Sequence, residues 1–180
     1  FNPSNIWIAL SGDGNTLAYR NTLGNGMFPP TTLYLKVSRY NESTDNWDGI
    51  SAIQPEDFPL QNTTSMALSH DGNIVVAGFP NENEVRVYQY SGSGTSWIPR
   101  GTTISTGSGS FGYSVDCSRD ANVVVIGAPL AGLGEQGQLR IAIWDGSDYS
   151  LSSAAEESQN GAGNFAQTVR CDESGLSVVV

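Results

Sequence analysis

The sequence has one lysine, Lys36, one histidine, His70, and two cysteines, Cys117 and Cys171, in 180 residues. Charged residues make up only 14%, and 18 acidic against 8 basic side chains give a formal net charge of -10. Each scarcity removes a class of function. One lysine and scattered arginines cannot neutralise a run of phosphates, so nucleic acid is excluded as a partner. An anionic membrane surface is disfavoured on the same ground. A single histidine excludes a multi-histidine zinc site. No run of about 18 apolar residues is present, so no segment reads as a membrane-spanning helix. There is no Cys-x-x-Cys pair, no Gly-x-Ser-x-Gly elbow and no phosphate-cradling loop. The chain opens on Phe1 and closes in the apolar run at Val180, which reads as a piece of something longer.

Glycine is plentiful, with 21 copies, and Ser, Thr and Asn are frequent. With so little charge, that composition suits short strands joined by tight turns rather than helices. The chain also repeats. Ile8–Ala18, Met66–Ala77, Val115–Ile126 and Val169–Val179 align as a short strand, a polar turn and a strongly apolar strand. The anchor residues Leu10, Leu68, Cys117 and Cys171 lie 58, 49 and 54 positions apart. A four-stranded propeller blade takes about 40–50 residues, so these spacings fit blades with loop insertions.

The turns support the alignment. Asp13-Gly14 and Asp71-Gly72 between apolar runs are hairpin signals, because glycine accepts positive φ. Asp120-Ala121-Asn122 is a degenerate copy in which Asn122 is expected to take the left-handed position, and Ser174-Gly175 is another copy. Glu84–Tyr90, Gln138–Trp144 and Thr32–Tyr40 alternate as third strands, and Trp47, Trp97 and Tyr149 mark a weaker fourth. The expected fold is all-β: a β-propeller of four-stranded antiparallel blades, incomplete in this chain, with about three blades and the start of a fourth. Approximate blades are 5–62, 63–111, 112–165 and 166–180.

The repeats resemble the FG-GAP blades of integrin α-subunit-like propellers and of related secreted microbial and algal proteins. Phe111-Gly112-Tyr113-Ser114-Val115, Ile126-Gly127-Ala128-Pro129 and Gly137–Ile141 carry the likeness. Trp97–Ile104 resembles the linker that family places between blades. Phe165-Ala166 stands for Phe-Gly in the last repeat, and Gly78-Phe79-Pro80 for Gly-Ala-Pro in the second. The resemblance implies a secreted or cell-surface propeller working in adhesion or assembly. It also raises calcium, which many such blades carry in an acidic loop.

No Asp-x-Asp/Asn-x-Asp-Gly run occurs. Asp45-Asn46-Trp47-Asp48-Gly49 comes nearest, with Asn81–Glu84 next; both read as solvated turns, so no cofactor is expected. If calcium bound, Asp45 and Asp48 would be its candidate ligands. Asn41-Glu42-Ser43 and Asn62-Thr63-Thr64 are glycosylation sequons in expected loops. Cys117 and Cys171 occupy equivalent positions and read as free thiols in an apolar core. His70 reads as an exposed turn residue. Asp116 and Arg170 also align; they read as an ion pair or as charges facing the central channel, with a ligand site at the channel mouth left open. The inserted segments Asn21–Pro30 and Asn41–Leu60 are the expected recognition loops.

No catalytic constellation can be defended. The expected function is a non-enzymatic scaffold, extracellular or at the cell surface, binding a protein or glycan partner or copies of itself. A glycan hydrolase or lyase using the channel, and a structural subunit of a filament or sheath, are the alternatives.

Overall fold

A computed structural model describes residues 8–23, 32–53, 65–92, 97–153, 156–158 and 165–180, with no side-chain description at 20–23, 32–34 and 51–53. Every described regular element is a β-strand. The first sheet runs β1 (Ile8–Leu10), β2 (Thr16–Leu23), β3 (Thr32–Asn41) and β4 (Asn46–Ile53). The second is β5 (Ser65–Leu68), β6 (Ile74–Phe79), β7 (Glu84–Tyr90) and β8 (Trp97–Pro99), with β9 (Ile104–Ser105) also on β7. The third is β10 (Ser114–Cys117), β11 (Val123–Ala128), β12 (Gln138–Trp144) and β13 (Tyr149–Leu151), with β14 (Glu156–Glu157) on β12. β15 (Arg170–Cys171) and β16 (Val178–Val179) pair as the start of a fourth. Each complete sheet is an antiparallel meander in chain order, and the first strands of neighbouring sheets lie side by side.

The core lies between sheets. From β6, Val75, Ala77 and Phe79 pack with Leu35 and Val37 of the first blade, while Val76 faces the third. From β11, Val124, Ile126 and Ala128 face the second blade, and Val125 packs with Leu139 and Val169 toward the fourth. Both strands are therefore covered on both faces, which is why their sequences are continuous apolar runs rather than alternating ones. Each buried valine contributes about 1.5–3 kcal/mol relative to exposure.

The outer strand starts at Trp97, as expected, and continues beyond it. Trp97–Ile104 is not a plain linker: β8 and β9 both pair with β7, and Arg100–Thr103 bows out between them. Gly101, at φ 79°, makes that bow and lies against Asp148 and Trp144 of the next blade. Where the third and fourth strands meet, an aromatic pair closes each blade. Tyr40–Trp47 and Tyr90–Trp97 have ring centroids 5.6 Å apart, and Trp144–Tyr149 4.9 Å, all directly opposite in register.

Two glycines set how closely the blades approach. A Cβ on Gly78 would overlap the carbonyl oxygen of Gly112, and one on Gly127 that of Ala166. Gly112 (φ 88°) and Ala166 (φ 63°) thus form the same left-handed turn, each seated on the second strand of the preceding blade.

Candidate functional site

The first strands share one direction, so their two ends define two faces. At their C-terminal ends lies a repeated turn. Ser11, Ser69 and Ser118 donate their hydroxyls to Asp13, Asp71 and Asp120 at 2.5, 2.6 and 2.9 Å. Each serine oxygen also accepts the N–H that opens the second strand, from Thr16, Ile74 and Val123. Each aspartate accepts the N–H two residues on, from Asn15, Asn73 and Asn122. The fourth turn exchanges the roles: Ser174 donates to Asp172, which accepts Leu176 and Ser177 N–H.

These bonds favour the ionised carboxylates. The Ser11 hydroxyl leads in holding Asp13 below the usual range, and the Ser177 N–H in holding Asp172 there. At Asp71 and Asp120 burial pushes upward, but the serine and asparagine bonds outweigh it.

The left-handed residue of the third turn is Ala121, at φ 54°, not Asn122. The Asp120 carboxylate binds Asn122 through both its N–H and its amide, which fixes Asn122 one place later. The turns are also joined across blades. Asp13 N–H donates to His70 O at 2.9 Å, His70 N–H to Arg119 O at 2.8 Å, and Arg119 N–H to Glu173 O at 2.7 Å. His70 is consequently no freely exposed turn residue. It is half-buried, and its Nδ1 lies 3.3 Å from Glu173 Oε1, while Arg119 Nη1 meets Glu173 Oε2 at 2.7 Å.

Two arginines clasp neighbouring blades at this end. Arg39 donates to Asn73 at 2.8 Å and lies over the Tyr90 ring. Arg100 donates to Asn122 at 2.7 Å and stacks 4.5 Å from the Trp144 ring centroid.

The opposite face, where the first strands begin, holds a cleft of ≈ 290 Å³. Ile8, Met66 and Tyr113 give it apolar wall, while Ser65, Ser114, Gln167, Thr168 and Arg170 give it polar groups, so all four sheets contribute. Tyr113 and Leu130 are exposed, and Leu133, in the 129–137 loop, is 90% exposed. Sequence patterning held no sign of Leu133, because an isolated leucine among glycines has no periodicity to read.

The residues singled out from sequence are dispersed. Asp116 and Arg170 form no ion pair. The Asp116 oxygens accept the N–H groups of Cys117 and Cys171, each at 2.9 Å, and Arg170 donates to Val169 O. Asp45 accepts the Tyr40 hydroxyl at 2.6 Å, and Asp48 accepts the Asn41 amide at 2.7 Å, within the hairpin joining β3 to β4. Among the described residues no group of three or more His, Cys, Asp or Glu side chains converges as a metal site.

Asn41 closes β3 rather than sitting in an open loop, and its amide nitrogen is the group that bonds Asp48. Asn62 lies outside the described residues. The segments expected as recognition loops are partly sheet: Asn21–Leu23 belongs to β2 and Asn46–Ile53 is β4. Residues 24–30 and 54–60 lie outside the described residues. Asn83, at φ 58°, accepts Phe111 N–H, and Glu84 pairs with Arg86 at 2.8 Å, so 81–84 is a structural turn. Cys117 is buried and Cys171 half-buried; both are free thiols, and burial pushes Cys171 up to about 12.

No family model matches the chain, and no curated protein matches it in sequence. Solved structures do. A functionally unknown protein from Desulfotomaculum acetoxidans superposes with a TM-score of 0.63 at 17% identity, over 96% of this chain and 47% of its own. The periplasmic gluconolactonase of Pseudomonas aeruginosa gives 0.58 at 18%, over 92% and 46%. The Swd1 β-propeller domain of Myceliophteria thermophila gives 0.56 at 11%, over 91% and 45%. This chain thus spans somewhat under half of each. With three four-stranded antiparallel meanders and a fourth begun, the fold is that of a β-propeller, incomplete within this chain.

Proposed function

We propose that this propeller segment is a non-enzymatic binding scaffold of FG-GAP type, belonging to a secreted or cell-surface protein. It engages a protein or glycan through the face on which the first strands begin. The observation that carries this reading is the cleft shared by all four sheets, bordered by exposed Tyr113. An aromatic platform beside hydroxyl and amide groups suits recognition.

The non-enzymatic part draws on Asp116. It is the acidic residue on the first strands, and both its oxygens are occupied by backbone N–H groups of two blades. It acts as a clamp, not as a proton donor. The cleft lining brings no carboxylate pair together. The FG-GAP part draws on the Phe-Gly turn at Gly112, seated on the second-strand glycine Gly78.

The chain is tested on an array of glycans and immobilised extracellular proteins, beside Tyr113→Ala and Leu133→Ser variants. Binding that either variant weakens supports the scaffold. Turnover of a glycan or lactone without stable binding overturns it. Expression through a eukaryotic secretory pathway tests the extracellular assignment. Glycosidase treatment should then lower the mass through Asn41 or Asn62, and secretion failure with no glycan counts against it.

A further inference from the structure

Arg170 is distinguished from the other described arginines by what it leaves unmatched. Arg86 and Arg119 are paired with carboxylates. Arg39 and Arg100 are spent on asparagines and aromatic rings of the next blade. Arg140 donates across its blade to Ser152 O. Among the described residues Arg170 bonds only its neighbour's carbonyl, Val169 O at 2.9 Å, and makes no ion pair. Four guanidinium N–H donors therefore have no partner among the described residues. This exposed cation sits in the wall of the central cleft.

The rest of the cleft fits the same conclusion. The chain carries 18 acidic residues, yet among the described residues none lines the cleft, and Arg170 is the charged group in its wall. Ser65 is buried and accepts Val115 N–H at 2.6 Å; among the described residues no acceptor takes its hydroxyl hydrogen. Thr168 and the Gln167 amide add donors and acceptors spaced around one wall. The volume lies at the small end of ligand sites, about 300 Å³, which suits one or two sugar units rather than a folded partner.

We infer that this cleft binds a carboxylate-bearing saccharide, a hexuronate unit. The Arg170 guanidinium grips the carboxylate through two parallel N–H bonds. Ser65, Thr168 and Gln167 meet ring hydroxyls, and Tyr113 covers the apolar face of the sugar. A peptide's carboxyl terminus has the same charge but no ring hydroxyls for these groups. The inference rests on the scaffold reading and names its ligand.

The test is calorimetry on the 180-residue chain with three probes: digalacturonate, the neutral galactose disaccharide, and a blocked tripeptide with a free carboxyl terminus. Each is repeated with Arg170→Gln and Arg170→Lys, circular dichroism confirming the fold. The expected result is binding of digalacturonate alone, weakened about tenfold or more by Arg170→Gln and less by Arg170→Lys. Added salt should also weaken it. Equal binding of the neutral disaccharide, or preference for the tripeptide, overturns the hexuronate assignment and leaves the scaffold reading standing. Digalacturonate binding that is indifferent to Arg170→Gln removes the cleft as its site. No binding of any probe overturns the inference; the array and the Tyr113→Ala and Leu133→Ser variants then decide the scaffold reading separately.

Discussion

Gly127 in the third blade lies directly against the carbonyl oxygen of Ala166 in the fourth, with no space for a methyl group between them. The contact is backbone on backbone, so no side chain can swing aside. Gly127→Ala should destabilise the fold by roughly 3 kcal/mol, the upper range for overpacking. Urea titration followed by tryptophan fluorescence gives the value. An unchanged midpoint would refute this account of blade packing.

Ser69 is fully buried and holds its turn from both sides, donating to Asp71 and accepting Ile74 N–H. Ser69→Ala strands that N–H without a partner and should cost roughly 1–3 kcal/mol. Thermal melts of this variant beside Ser43→Ala, an exposed control, separate a turn effect from a general loss of hydroxyl.

Arg100 should not tolerate lysine. Its planar fork reaches Asn122 and Tyr149 Oη while lying on the Trp144 ring, and a point ammonium cannot do both. Arg100→Lys is expected to lower stability by about 1–2 kcal/mol and to alter the near-ultraviolet circular dichroism of Trp144. Identical spectra would argue that the stacking is incidental.

Acid should loosen the hub turns. Asp13, Asp71, Asp120 and Asp172 all titrate below the ordinary value of 3.8. Above 3.8 they are ionised and their bonds stabilise the fold. As pH falls below 3.8, the unfolded chain takes up protons before the folded one, and stability declines through the folded-state values. Urea midpoints should hold between pH 7 and 5 and drop toward pH 3. A midpoint rising in acid would contradict the assigned sign.

Both thiols should be sluggish. Burial raises the Cys117 thiol and pushes Cys171 up to about 12, so almost no thiolate exists at pH 8. An aromatic disulfide reagent should label neither quickly in the native chain and both promptly in denaturant. Fast native labelling of Cys117 would mean the gap between the second and third blades is open.

The sequence's columns made some of this visible and hid the rest. β6 and β11 were readable because burial on two faces leaves an unbroken apolar run beside an Asp-Gly-type turn. Asp116 and Arg170 share a column, and that alignment suggested a pair. Equivalent strand positions of neighbouring blades run side by side, however, and Asp116 reached the backbone of Cys171 instead. Backbone partners have no sequence signature. Ala121 in the left-handed position runs against residue preference; the Asp120 bonds to Asn122 dictate where the turn reverses. The cleft was unreadable as a set, since its walls come from residues as far apart as Ile8 and Arg170.

The cross-blade ladder of turn bonds has a direction. His70 gives its N–H to a residue 49 positions later, and Arg119 to one 54 positions later. A chain emerging N-terminus first therefore exposes each donor before its acceptor has been synthesised. Each of the ladder's three amides is thus left to water until the turn of the next blade has formed.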